Sequence, residues 1–137
     1  MKVEYLLECY RYHNICYKSI DEESIITSDD KIFIINFDKH VKAVCCKNSE
    51  IVYSIRIVAD WGMGISNYNM HTLNVFNIIR TSINCLSNIS HKEINIIFSS
   101  LGLYDGTFVK GKKIKNYENL YKIEVIDGIL VFTIAKL

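Results

Sequence analysis

Histidine and cysteine are the residues of this chain best suited to acid–base, nucleophilic or metal chemistry. The histidines do not stand at metal-ligand spacing from one another or from a cysteine. Cys45 and Cys46 are adjacent, so on a strand their side chains face opposite sides, which is typical of separate structural thiols. Cys85 and His71 could form a nucleophile–base pair, a hypothesis that only their residue types support. We predict no catalytic residue, no metal ligand and no cofactor.

Trp61 is the only tryptophan, and it stands beside two glycines in the run Asp60-Trp61-Gly62-Met63-Gly64. Tryptophan is enriched at binding hot spots, so Trp61 is a candidate partner contact. The alternative is a core tryptophan that caps the sheet where the chain turns into a helix.

An acidic segment lies between residues 21 and 30, with Asp21, Glu22, Glu23, Asp29 and Asp30. Clustered carboxylates can bind a basic protein surface, including a nuclease active site, by imitating phosphate charge. A solvated loop is the alternative. We predict that Glu22, Glu23, Asp29 and Asp30, together with Trp61, contact a protein partner.

A basic run near the C-terminus carries Lys110, Lys112, Lys113 and Lys115, with Tyr117 and Tyr121 nearby. Phosphates attract clustered ammonium groups and bases stack on aromatic rings, so this run is the alternative, nucleic-acid-binding surface. Lysines in such a loop also keep a sheet edge soluble.

Apolar spacing indicates which elements hold these residues. Alternation predicts strands at 3–12, 31–37, 40–46, 51–59, 93–98, 121–126 and 129–135, with 31–37 covered on both faces. Asp127-Gly128 between two such runs predicts a hairpin. A helical stripe comprises Met70, Leu73, Phe76, Ile79, Ile83 and Leu86. We predict one α+β domain over 1–137, with an antiparallel sheet of about six to eight strands and one long helix packed on a face.

The predicted helix has no charged outer face, because Arg80 is the only Lys, Arg, Asp or Glu between Asp60 and Lys92. An exposed helix normally carries ions opposite its apolar stripe. The Asn, Thr and Ser residues found there favour burial within the chain or contact with another protein, including a second copy in a homodimer.

The net charge, the number of cysteines and the lengths of the apolar runs argue against some classes of protein. A net charge of +1 gives no general attraction to nucleic acid or to acidic membranes. Five cysteines, an odd number, and an N-terminus without a secretory pattern predict a reducing, cytoplasmic location. No apolar run reaches the length of a membrane span.

The function predicted is that of a non-enzymatic protein-binding module. The chain has no proline and an excess of isoleucine, asparagine, lysine and tyrosine, the composition that AT-rich coding DNA produces. A small α+β chain of this composition, without a catalytic motif, is similar in type to bacterial immunity proteins from mobile DNA. That similarity implies inhibition of a cognate toxin, a basic domain such as a nuclease, by direct binding. Two alternatives stay open. One is a small enzyme or ligand-binding protein with a helix–sheet pocket near Trp61. The other is a viral host-interaction protein, since the apolar run ending in Asp60-Trp61 resembles poxvirus host-range β-sandwiches.

Overall fold

The computed structural model of the chain describes residues 1–13, 25–27, 29–61, 68–87, 89–104, 113–116 and 118–137. Over these residues the chain forms three helices and seven strands. In chain order they are α1 (Val3–His13), β1 (Ile25–Thr27), β2 (Ile32–Asp38), β3 (Val41–Asn48), β4 (Ile51–Asp60), α2 (Tyr68–Ser87), α3 (His91–Ser100), β5 (Lys113–Asn116), β6 (Asn119–Ile126) and β7 (Ile129–Lys136). The acidic residues at 21–23 lie outside the described residues.

The strands form one sheet in the order β1-β2-β3-β4-β7-β6-β5, and every neighbouring pair is antiparallel. The α+β class and the antiparallel sheet are therefore confirmed, and the seven strands lie within the predicted number. The prediction of one helix is incomplete, because α1 and α3 accompany α2 in the described part of the chain.

One face of the sheet holds the core. A row of buried side chains crosses six strands through the register partners Phe33, Cys45, Ile55, Ile134, Tyr121 and the half-buried Ile114. The helices pack on this face: the Tyr10 ring of α1 meets the Phe37 ring of β2 edge-on at 5.0 Å. The Tyr121 hydroxyl of β6 donates to Ser87 Oγ of α2 at 2.7 Å. We call this face the inward face.

The N-terminal segment was predicted as a strand, and that prediction is wrong. It forms α1, in which Leu6 and Tyr10 lie one turn apart and are both fully buried. The apolar residues Val3, Leu6 and Tyr10 are three and four positions apart, which is the spacing of a helix face. The alternation of apolar residues in the same segment fits a strand equally well. Leucine and glutamate, which occur twice each here, favour the helix.

The predicted strand at 93–98 is also wrong, because these residues belong to α3. The helix begins after Ser90, whose Oγ accepts the backbone N–H of Glu93 at 3.2 Å. Ser90 and Glu93 have the S-x-x-E spacing of a capping box. The buried side chains of α3 are Ile94, Ile97 and Phe98, a helical spacing.

Helix α2 keeps only part of the predicted stripe inside. Ile79, Ile83 and Leu86 are buried, whereas Met70 and Leu73 are 52% and 59% exposed. Uncharged polar residues take some of the inner positions: Ser82 is fully buried, donates to the Ile78 carbonyl at 2.7 Å and hydrogen bonds with the Tyr10 hydroxyl. Part of the uncharged helix surface is therefore buried within the chain. Within the described residues, none of the helices combines the length and apolar character needed to span a bilayer.

The hairpin predicted at Asp127-Gly128 is confirmed between β6 and β7. Both residues have positive φ, 52° and 76°, as a type I′ turn requires. The Gly128 carbonyl also accepts the backbone N–H of Trp61 at 2.7 Å, so the turn holds the end of β4.

Replacing Gly128 tests this turn. A Cβ at Gly128 would lie 3.3 Å from the Trp61 carbonyl oxygen and would occupy a φ that alanine disfavours. We expect Gly128→Ala to lower the free energy of unfolding by about 1–2 kcal/mol, measured by urea denaturation. Asp127→Asn is the matched control, since asparagine tolerates positive φ, and it should leave the urea midpoint unchanged. Equal stability of Gly128→Ala and the wild type would contradict this account of the turn.

Candidate functional site

Trp61 lies where the chain leaves β4, half-buried against α2. Its ring centroid is 6.3 Å from that of His71 and 6.1 Å from that of Phe76. Packing on the helix agrees with the alternative that Trp61 caps the sheet, and the remaining exposed part of the ring keeps it a candidate contact.

The acidic residues that the structure describes lie far from Trp61. Asp29 and Asp30 precede β2, at the end of the sheet opposite to the end of β4, so the length of β2 separates them from Trp61 by roughly 20 Å. Asp29 Oδ1 accepts the backbone N–H groups of Lys31 and Ile32 at 2.7 and 2.9 Å, so this carboxylate stabilises the turn. Asp30 is exposed. Glu22 and Glu23 are outside the described residues.

The basic run is not a loop throughout. Lys113 and Lys115 lie exposed on the edge strand β5, directly opposite Lys122 and Leu120 of β6. Lys110 and Lys112 are outside the described residues. The alternation of β5 places Lys113 and Lys115 on the side of the sheet away from the core residue Tyr121.

A histidine–aspartate cluster joins the end of β4 to α2. His40 Nδ1 lies 2.8 Å from Asp60 Oδ2, and His71 Nε2 donates to the Asp60 carbonyl at 2.6 Å. The two histidine rings are 5.8 Å apart. Sequence spacing did not indicate this cluster, because the pairing of β3 with β4 brings its members together.

A histidine oriented by a carboxylate is one part of a general-base site. No described cysteine or hydroxyl side chain hydrogen bonds to either histidine. Among the described residues, no three His, Cys, Asp or Glu side chains lie together in a way that could hold a metal ion. The contact that the structure does show is His71 fastening α2 to β4, with His71 itself buried.

The cysteines differ sharply in environment. Cys9 of α1 and Cys85 of α2 form a disulfide, so the hypothesis that Cys85 acts as a nucleophile with His71 is wrong. The reducing, cytoplasmic location that the cysteine number favours stays a prediction. Cys45 and Cys46 are free and face opposite sides of β3, as predicted. Burial of Cys45, reinforced by its neighbour Cys46, raises the pKa of the Cys45 thiol well above its ordinary value, which makes this thiol unreactive.

Arg80, the one charged residue of α2, holds α3 and the chain that follows it. Its guanidinium donates to Asn95 at 3.1 Å and to the Tyr104 hydroxyl at 2.8 Å. It also lies 4.8 Å from the centroid of the Phe98 ring. These contacts explain why one charge is kept in an otherwise uncharged helix.

Two open grooves are found on the described surface. One, of about 690 Å³, is lined by Lys31, Lys47, Asn48, Ile51 and Tyr53. The other, of about 510 Å³, is lined by Lys92, Asn95, Ile96, Ser99 and Ser100. Neither groove includes Trp61 or His71, so neither corresponds to the predicted helix–sheet pocket.

The face of the sheet opposite the inward face is the largest feature that sequence analysis missed. Its central row runs through Ile26, Ile34, Val44, Arg56, Thr133, Lys122 and Lys113. One flanking row runs through Ile32, Cys46, Ser54, Ala135, Leu120 and Lys115. The other runs through Asn36, Lys42, Val58, Val131 and Glu124. We call these three rows the outward face.

The side chains of the outward face retain contact with water. All are half-exposed or exposed except Ser54, which is 9% exposed. The prediction that both faces of the strand at 31–37 are covered is therefore not met, since Ile32 and Ile34 are half-exposed. The described helices pack on the inward face, and β-branched aliphatic residues remain at outward positions of β2, β3, β4 and β7.

Comparisons of the chain with protein-family models, with curated proteins and with solved structures each give no match.

Proposed function

We propose that this chain is a non-enzymatic protein-binding module of the immunity or antitoxin type, which neutralises a partner toxin by direct binding. The observation that supports the proposal is the outward face, a seven-strand surface that carries aliphatic side chains although the core already fills the inward face. We propose this face as the contact surface.

The residue types of the outward face differ from those of a sheet face evolved only for solvation. An antiparallel sheet with one solvated face usually alternates apolar inward residues with polar outward ones. Here the outward positions include Ile34, Val44, Val58 and Val131. Removing apolar surface from water contributes about 25 cal/mol per Å², so a partner that covers these side chains gains affinity from them.

The acidic segment supplies a second contact surface that can be tested separately. A basic toxin domain, such as a nuclease, would bind Asp30 together with Glu22 and Glu23, which the sequence predicts to be partner contacts. Asp29 is less available, because its Oδ1 already accepts two backbone N–H groups.

The outward face is tested by making two of its aliphatic residues polar. Tagged protein is used to capture partners from lysate of the native host, and a stoichiometric partner is identified by mass spectrometry. We expect Val44→Asn with Val58→Asn to weaken binding of that partner by about 30-fold, because residues in the centre of an interface dominate its affinity. Leu73→Asn is the matched control, since Leu73 is exposed on α2 away from the sheet, and it should bind as the wild type does.

Inhibition completes the test of function. The captured partner should lose its own activity when one equivalent of this protein is added. Unchanged capture by the Val44/Val58 variant, with loss of capture by Asp30→Lys, would assign binding to the acidic segment and contradict the outward face. Turnover of a substrate by the purified chain would contradict a non-enzymatic module.

A further inference from the structure

We propose that the outward face recognises an acidic protein surface, so that its partner presents carboxylates at the contact. This inference rests on the proposed function and specifies the chemistry of the partner. It reverses the sign of charge expected from the acidic segment, which predicts a basic toxin domain.

The charges of the outward face are strongly one-sided. Its three rows hold five cations, Lys42, Arg56, Lys113, Lys115 and Lys122, and one carboxylate, Glu124. Glu124 forms an ion pair with Lys122. The whole chain has a net charge of only +1, so cations are concentrated here relative to the rest of the molecule.

The remaining cations are placed where they repel one another. Lys113 is the direct cross-strand partner of Lys122, a like-charge position in which the Lys122–Glu124 ion pair reduces the repulsion. Lys42 and Arg56 lie diagonally on β3 and β4, about 7–8 Å apart at their Cα atoms. Both are exposed, and no described carboxylate forms an ion pair with either. An anionic partner would relieve this repulsion, whereas an uncharged partner would leave it in place.

The uncharged residues of the outward face favour a protein over a nucleic acid as the partner. Single-stranded nucleic acid binds by stacking its bases on aromatic rings, and the three rows contain no aromatic residue. Aliphatic side chains interleave with the cations instead, as Val44 and Val58 do around Arg56. A second copy of this chain is disfavoured, because two-fold pairing would bring cationic faces together.

The experiment uses the full chain labelled with ¹⁵N and two soluble probes, a poly-L-glutamate of about 20 residues and a single-stranded oligonucleotide of similar charge. Binding is followed by chemical-shift changes of the backbone amides at low salt. We expect poly-L-glutamate to shift the backbone amides of the strands at the residues of the outward face. It should bind more tightly than the oligonucleotide, and its affinity should fall as the salt concentration rises.

Charge reversal then identifies the residues. Arg56→Glu should weaken poly-L-glutamate binding by about tenfold, and Lys42→Glu, a second exposed position, should do the same. Lys92→Glu makes the same charge change at an exposed position of α3 and should bind as the wild type does. Equal far-UV circular dichroism spectra show that each variant folds.

Three results would overturn this inference: no binding of poly-L-glutamate, shifts confined to the helices, or tighter binding of the oligonucleotide through the same residues. The proposed function fails separately, when the captured partner keeps its own activity after one equivalent of this protein is added. A partner lost by the Val44/Val58 variant but retained by Arg56→Glu would support the binding module and reject its acidic partner.

Discussion

Loss of the Cys9–Cys85 disulfide is expected to lower the free energy of unfolding by about 4 kcal/mol. The bond joins residues 76 positions apart, so in the unfolded chain it closes a loop that contains most of the sheet strands. Closing so long a loop lowers the conformational entropy of the unfolded state, and the reduction grows with the length of the loop. The expected effect is comparable to deleting a large core side chain. The measurement is urea denaturation of wild-type protein and of the Cys9→Ser/Cys85→Ser variant.

Reduction of the wild type provides an independent measurement of the same bond. Dithiothreitol should lower the stability of the wild type to near that of the double serine variant and leave the variant itself unchanged. Cys46→Ser is the control for replacing a thiol, since Cys46 is free and half-exposed. Mass spectrometry of the unreduced digest should show a linked peptide pair containing Cys9 and Cys85. Identical urea midpoints with and without dithiothreitol would contradict this prediction.

Features specified by adjacent residues were predictable from the sequence. Asp127-Gly128 fixes a two-residue turn because both positions need positive φ, and the flanking strands follow from it. The strands of the meander β2-β3-β4 were recognised because their β-branched residues alternate between short turns. Half of the α2 stripe was also identified, through Ile79, Ile83 and Leu86.

Helices α1 and α3 were missed because a short apolar run fits two periods. Ile94, Ile96 and Phe98 alternate as a strand would, whereas the buried residues Ile94, Ile97 and Phe98 have the spacing of a helix. The capping pair Ser90 and Glu93 is the local signal that favours the helix over the strand. In α1, the fully buried Tyr10 is held by its hydrogen bond to Ser82, a contact 72 positions away that local sequence does not contain.

The outward face depends on strand order, which the sequence does not state. Arg56 and Lys122 belong to distant segments and meet in one row only because β7 lies between β4 and β6. The local sequence around Lys113 and Lys115 is typical of a polar loop, and a loop does not indicate which way a side chain lies relative to the core. Once β5 pairs with β6, both lysines face away from Tyr121 and join the same surface as Lys122. The disulfide was likewise unpredictable, since it follows from the contact of α1 with α2.

Alkaline pH is expected to destabilise the fold through buried groups that must stay protonated. Burial raises the pKa of the Cys45 thiol well above its ordinary value, and the neighbouring Cys46 adds to the rise. Burial also raises the pKa of the Tyr121 hydroxyl, although its hydrogen bonds to Ser87 and Asn119 act in the opposite direction. Above the ordinary thiol value of 9.0 the unfolded chain loses the Cys45 proton while the folded chain retains it. The unfolded state then binds fewer protons, so the contribution of Cys45 to stability is complete below about pH 9 and falls as pH rises, by up to about 1.4 kcal/mol per pH unit. Tyr121 adds to the loss only above its own ordinary value of 10.0.

Substitution of Cys45 isolates its share of that loss. Cys45→Ala removes the thiol, and we expect the variant to be less stable than the wild type at pH 7. This difference in the free energy of unfolding should shrink by about 2 kcal/mol between pH 9 and pH 11, because the variant has no Cys45 proton to lose. The measurement is urea denaturation at pH 7, 9 and 11 under argon, which keeps the free thiols from oxidising. Cys46→Ala, a half-exposed thiol on the outward face, should follow the pH dependence of the wild type. If Cys45→Ala and the wild type lose stability in parallel up to pH 11, the thiol of Cys45 is accessible to water in the folded protein and does not face the core.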